Sequence, residues 1–172
     1  MRKILVACLF LGATAVFAQE RPTAISVFVT NPGFIHSDYS GNRWEGEFGV
    51  ALQRMFTPRF SAELAVSQRS RTSGFTTFNS DGTVRENRIF TETTLPVDLT
   101  ARYHFATQST WKPYAGLGLR YVGGRTALDV DGGVVWQFHR TLGLRFDARV
   151  IPGNDAHFSD TINGSVGLSW RF

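Results

Sequence analysis

The last stretch of the chain alternates without interruption. From Thr161 to Phe172, Ile162, Gly164, Val166, Leu168, Trp170 and Phe172 share one face, and Asn163, Ser165, Gly167, Ser169 and Arg171 share the other. Successive side chains of a strand project to opposite faces of the pleat, so a sustained period of two predicts a strand and excludes a helix. The segment before it repeats the pattern: Leu142, Leu144, Phe146, Ala148 and Val150 oppose Thr141, Gly143, Arg145, Asp147 and Arg149. Six further segments follow the same rule, at 23–30, 43–54, 59–69, 89–105, 112–122 and 128–138. Together they predict eight strands.

The connections alternate in character. Short ones fall near Met55–Pro58, Ala106–Trp111 and His139–Thr141. Segments near Asn31–Asn42, Arg71–Arg88 and Pro152–Asp160 are longer and rich in Gly, Ser, Asn and Asp, while Gly123–Ala127 is short for its place in the series. An even number of strands joined by turns alternating in this way predicts an up-and-down barrel with both termini at the short-turn end. Parity also constrains register. The sixth and seventh strands both carry apolar residues at even positions, so their turn has odd length; pairing Phe138 with Leu142 satisfies this and sets Asp131 opposite Arg149.

Alternation alone does not say which face is outside. An eight-stranded barrel has an interior just wide enough for side chains to fill it. The polar face mixes charges with small residues such as Gly49, Gly116, Gly118, Gly143 and Gly167, as a cramped interior requires, whereas the bulky Trp and Phe side chains lie on the apolar face. Aromatic residues gather at strand ends: Phe56, Phe60, Tyr103, Phe105, Trp111, Trp136, Phe138, Trp170 and Phe172 towards the short turns, Trp44, Phe90 and Tyr121 towards the loops. Such girdles suit the headgroup level of a bilayer. The polar face carries both signs of charge, and Glu45, Glu47, Glu63, Asp98, Arg102, Arg120, Asp131, Arg145, Asp147 and Arg149 are expected to form an enclosed ion-paired network. Pairing is required there because an uncompensated buried charge costs several kcal/mol.

The remaining sequence places this barrel in a compartment. No run reaches the roughly 20 apolar residues a membrane helix requires. Arg2 and Lys3, the apolar run from Ile4 to Phe17, and Val16-Phe17-Ala18 form a secretory signal, predicting cleavage after Ala18 and a barrel domain over 19–172. The single cysteine, Cys8, lies within the signal, with too short an apolar run before it for a lipoprotein signal, so the mature chain has no thiol chemistry. Loss of Arg2 and Lys3 lowers the formal net charge from +4 to +2, and nothing then points to nucleic acid.

In these features the chain resembles the small bacterial outer-membrane β-barrels of OmpA, OmpX and OmpW type. The ending Val166, Leu168, Trp170 and Phe172 is similar to the C-terminal signal by which barrel-assembly machinery recognises its clients, and Gly116-Leu117-Gly118-Leu119 before Arg120-Tyr121 is similar to the fifth strand of such proteins. The resemblance implies an all-β, eight-stranded antiparallel transmembrane barrel. Its implied partners are outer-membrane lipid or lipopolysaccharide and the assembly machinery, and its implied state is a monomer without a cofactor.

Three function classes follow. The first is a non-enzymatic barrel with a largely plugged polar interior and a structural, surface-interaction or small-solute role. The second is a lipid A deacylase, suggested by His157-Phe158-Ser159; a serine nucleophile needs a base and an orienting third group, yet the pair falls in a predicted loop and no Glu follows Glu92. The third is a lipocalin-like soluble carrier with its apolar face inward. His36, His104, His139 and His157 are not spaced as metal ligands, so no metal site is expected. In the 71–88 segment Phe75, Phe78, Arg85 and Arg88 could meet lipopolysaccharide phosphates, though exposed loop filler is the simpler reading.

Overall fold

The computed structural model describes residues 22–31, 44–78, 81–106, 108–152 and 161–172; at strand positions 31, 44–45, 73–78, 86–87 and 161–162 it describes the backbone only. The predicted signal, 1–18, and the His157-Phe158-Ser159 triplet lie outside the described residues. The strands are β1 (Thr23–Asn31), β2 (Trp44–Met55), β3 (Phe60–Phe78), β4 (Val84–Thr94), β5 (Val97–His104), β6 (Trp111–Val122), β7 (Arg125–Trp136), β8 (Leu142–Ile151) and β9 (Thr161–Arg171). All pairings are antiparallel. The neighbours run β2-β1-β9-β8-β7-β6-β5-β3, and β3 pairs back onto β2, which closes a ring of eight staves. Closure leaves the ring without an edge, so its backbone polar groups are satisfied within the sheet, the condition for crossing hydrocarbon.

The fourth stave differs from the single strand expected over 89–105. It breaks at Leu95-Pro96 into β4 and β5. Pro96 has no N–H to give to the ladder, which removes one bond of the pairing at this point. The pairing frame nevertheless survives: Val66↔Val97 on one side of the break and Arg69↔Thr94 on the other keep one register, and the Pro96 carbonyl still accepts the Ser67 N–H at 3.1 Å. A second correction concerns residues 71–88, expected as loop. β3 continues to Phe78 and pairs with β4, so this segment is largely a hairpin extending the stave past the rim. Its described side chains at 81–85 and 88–93 are exposed, so nothing there segregates apolar residues to one face.

The short β6–β7 connection has a local cause. Gly123 and Gly124 have φ of +58° and +84°, the left-handed values that a two-residue hairpin turn requires at both central positions. The β3–β4 hairpin therefore rises beside a low neighbour, and β4 pairs with β3 alone among the described strands. At the opposite end the chain turns tightly at 56–59, where Phe56 N–H donates to the Phe60 carbonyl at 2.8 Å and the Thr57 hydroxyl oxygen accepts the amides of Arg59 and Phe60.

The two faces divide as the alternation requires. Val29, Phe48, Leu64, Leu99, Leu117, Leu128, Val166 and Leu168 are exposed on the outside, whereas Ser26, Glu47, Glu63, Asp98, Arg102, Arg120, Asp131 and Arg145 are buried within. A soluble protein would bury the first set, so this exterior is built to meet lipid. A lipocalin arrangement, with the apolar face inward, is reversed here. Trp111 stacks on Trp136 at 5.6 Å and Phe60 meets Tyr103 edge-on at 5.1 Å, marking the short-turn girdle. On β6 the outward positions run from Trp111 to Tyr121. Ten residues rising about 3.3 Å each and tilted by about 40° span about 25 Å, the height of the apolar band of an outer-membrane barrel.

Candidate functional site

The lumen is where the chain concentrates its charge, and two adjoining clusters fill it. The first centres on Glu63 of β3. Arg145 of β8 binds it with two parallel contacts, Nη1 to Oε2 at 2.5 Å and Nη2 to Oε1 at 2.9 Å, while Nη1 of Arg102 on β5 donates to the same carboxylate. Arg102 also grips Asp131 of β7 through Nη2 and through Nε, the latter at 2.8 Å from Oδ2. Arg145 Nε donates to Asp147 at 2.5 Å, and Ser165 donates to the same Asp147 oxygen at 3.1 Å. Tyr114 lies inside this cluster: its hydroxyl accepts from Arg145 Nε at 3.1 Å, and the Arg102 guanidinium sits 4.7 Å from its ring centroid. Bidentate guanidinium–carboxylate geometry and a cation over an aromatic face are the arrangements that favour Arg over Lys in a dry interior.

The second cluster lies towards the long-loop end. Arg120 of β6 donates to Glu47 of β2 at 2.6 Å, and Ser67 donates to the other Glu47 oxygen at the same distance. Arg149 of β8 donates to Asp98 of β5 at 2.6 Å and ion-pairs with Asp129 at 3.2 Å. Arg120 Nε lies 3.7 Å from Asp98, so a chain of alternating charge runs Glu47, Arg120, Asp98, Arg149, Asp129. Gly116 and Gly118 of β6 make room for the acids: a Cβ at either would overlap the Asp131 or Asp129 carboxylate.

Of the ten residues expected in the network, nine are brought together in these clusters. The Glu45 side chain lies outside those described. The register does set Asp131 opposite Arg149, as parity required. Their ion pairs are nevertheless made elsewhere, Asp131 with Arg102 and Arg149 with Asp98 and Asp129. In so narrow a barrel, side chains meet across the lumen as readily as along the wall. Tyr114 was missed, although its even number between Lys112 and Gly116 already puts it on the inward face. Val166, Leu168, Trp170 and Phe172 all lie on the exposed face of β9 and just beyond it.

At the short-turn end the lumen opens into a pocket of 580 Å³ that His104, Lys112 and Arg171 help to line. His104 Nε2 lies 2.9 Å from the Ser61 hydroxyl and 3.3 Å from the Gln53 amide nitrogen. Among the described residues no carboxylate is hydrogen-bonded to the other ring nitrogen, so there the pair lacks the orienting third member of an activated serine. Among the described residues no group of three His, Cys, Asp or Glu side chains is placed to hold a metal ion.

The fold is that of known small outer-membrane barrels. OprG of Pseudomonas aeruginosa superposes with a TM-score of 0.62 at 14% identity, covering 88% of this chain and 96% of that one. Ail of Yersinia pestis, in a phospholipid nanodisc, gives 0.58 at 15% identity over 89% of this chain and 100% of its own. The N-terminal barrel domain of Pseudomonas aeruginosa OprF gives 0.57 at 14% identity over 89% and 100%. No curated protein sequence matches the chain. The model of the OmpW family matches residues 11–124, two thirds of the sequence. With eight antiparallel staves, a lipid-facing apolar exterior and that match, the chain belongs to the OmpW family of outer-membrane β-barrels.

Proposed function

We propose that the protein is a non-enzymatic integral barrel whose lumen is closed to solutes at mid-height, so that it acts as a structural and surface-interaction element of the outer membrane. One observation carries this reading: Arg102, Glu63 and Arg145 are almost fully buried, and the Arg145–Glu63 ion pair ties β8 to β3 across the lumen. Above them, among Phe28, Arg120, Arg145 and Arg149, lies a small pocket of 20 Å³, room for about one water molecule. Passage of a solute would require several charge-assisted contacts to break together in a low-dielectric interior. Residues 1–18 export the chain, Val166 to Phe172 present it to the assembly machinery, and the mature protein is a monomer in contact with lipopolysaccharide. The β3–β4 hairpin is the element best placed to meet an external surface.

Planar-bilayer recording tests the closed lumen. Purified protein is expected to give no stable open level; a large, lasting conductance in the native sequence refutes the reading. Unchanged lipid A mass spectra on overexpression are expected of a non-enzyme.

A further inference from the structure

We propose that the short-turn mouth of the barrel is a binding site for a phosphate or carboxylate carried on a compact, partly apolar body. The charge at this end is one-sided. Segments 22–26, 52–62, 103–113, 136–144 and 168–172 contain Arg54, Arg59, Lys112, Arg140 and Arg171 but no Asp or Glu, and Glu20, just ahead of Pro22, is offset by its neighbour Arg21. Two of these cations, Lys112 of β6 and Arg171 of β9, occupy inward positions and line the 580 Å³ pocket. Neither has a carboxylate within ion-pair distance among the described residues. Lys112 donates to the Gln137 side-chain carbonyl, a neutral acceptor, and the Arg171 guanidinium has no hydrogen-bond acceptor there. This contrasts with the mid-lumen, where each buried guanidinium is matched to one or two acids.

Two like charges facing one chamber repel each other, and an anion between them relieves this while satisfying a five-donor guanidinium and a three-donor ammonium. The lining supplies the second half of the recognition. Met55, Phe56 and Pro58 form an apolar shoulder from the β2–β3 turn, and His104 adds a ring edge on the inner side. The volume suits a ligand of modest size, well beyond a bare ion. The mouth opens at the level of the inner-leaflet headgroups, so the same chemistry could arrive on a membrane lipid or on a soluble periplasmic anion. The site depends on the barrel orientation but not on whether the lumen conducts.

Isothermal titration of the mature protein in dodecyl maltoside with decyl phosphate, inorganic phosphate and decyltrimethylammonium tests the proposal. Saturable binding of decyl phosphate is expected, weakened roughly tenfold or more by Lys112→Gln or Arg171→Gln and largely retained in Lys112→Arg. Comparable binding of inorganic phosphate identifies a free anion as the ligand class; preference for the alkyl ester identifies a lipid-like one. Heat-modifiable gel mobility establishes that each variant is folded, and Lys112→Gln, which leaves β9 untouched, guards against an assembly defect from Arg171→Gln. Equal binding of the cationic amphiphile, affinity indifferent to both substitutions, or no binding by the folded native protein overturns the site.

Discussion

Replacing Arg102 with Met is the sharpest test of the lumen. Methionine keeps much of the side-chain volume beside Tyr114 while removing the charge. Arg102 is 2% exposed and serves two acids that differ in what remains to them. Glu63 keeps both of its contacts to Arg145. Asp131 keeps no partner among the described residues: there Arg102 is its only ion-pair partner, and its second oxygen lacks a hydrogen bond. The variant therefore strands one carboxylate in a dry interior, a change that costs about 3–5 kcal/mol. Asp131→Asn in the same background removes the stranded charge and should restore at least half of the loss, whereas two independent sites would simply add. Equilibrium urea unfolding in phospholipid vesicles reads both quantities, with the lipid-facing Trp111, Trp136 and Trp170 as the fluorescent reporters. A loss below about 1 kcal/mol, or strict additivity of the two substitutions, would refute the picture of Asp131 as a buried ion held by one arginine.

Leu117, midway between Trp111 and Tyr121 and 59% exposed, should tolerate Ile; Leu117→Arg should cost about 2–4 kcal/mol in the same vesicle assay, because it places a charge at the bilayer midplane. Gly118→Ala forces a methyl group against the Asp129 carboxylate and to 2.7 Å from the Leu99 carbonyl oxygen, and should cost about 1–3 kcal/mol, visible as a lower urea midpoint. At the hairpin tip the Thr83 hydroxyl and amide both donate to Asp81 and hold its carboxyl below the usual range. These bonds should persist at neutral pH and fail only as pH falls through that lowered value, which the Thr83 amide resonance would report; a midpoint at or above the ordinary aspartate value would contradict the geometry.

Most of the barrel was legible because a membrane wall of single-residue thickness must alternate: Leu117 faces lipid and Gly118 the lumen, one step apart. The β7–β8 register was legible for the same reason, since a slip of one residue would turn Arg145 and Arg149 towards hydrocarbon. Two things were not. The hairpin arms at 71–78 and 84–88 form strands without alternating, and the described side chains at 81–85 and 88 are exposed with no buried face to impose a period. The actual ion pairs also escaped, because they depend on how far β5 and β8 stand apart across the lumen, a distance set by closure and tilt and absent from any local pattern. The vestibule behind Lys112 and Arg171 is a product of the same closure: four staves, β2, β5, β6 and β9, and two turns must converge before it exists.

The routes of the luminal contacts bear on assembly. Arg145 and Glu63 are 82 residues apart in sequence, Arg120 and Glu47 are 73, and Arg149 and Asp98 are 51, and none of these pairs joins adjacent staves. Adjacent staves neutralise part of the interior, as Arg149 with Asp129 and Arg102 with Glu63 do, but not these longer-range contacts. A half-formed sheet would leave Arg145, Arg120 and Arg149 with fewer acids around them, and their remaining partners arrive only as opposite walls come together. Entry into the membrane and circular completion are thus one cooperative event, with few stable way-stations in between.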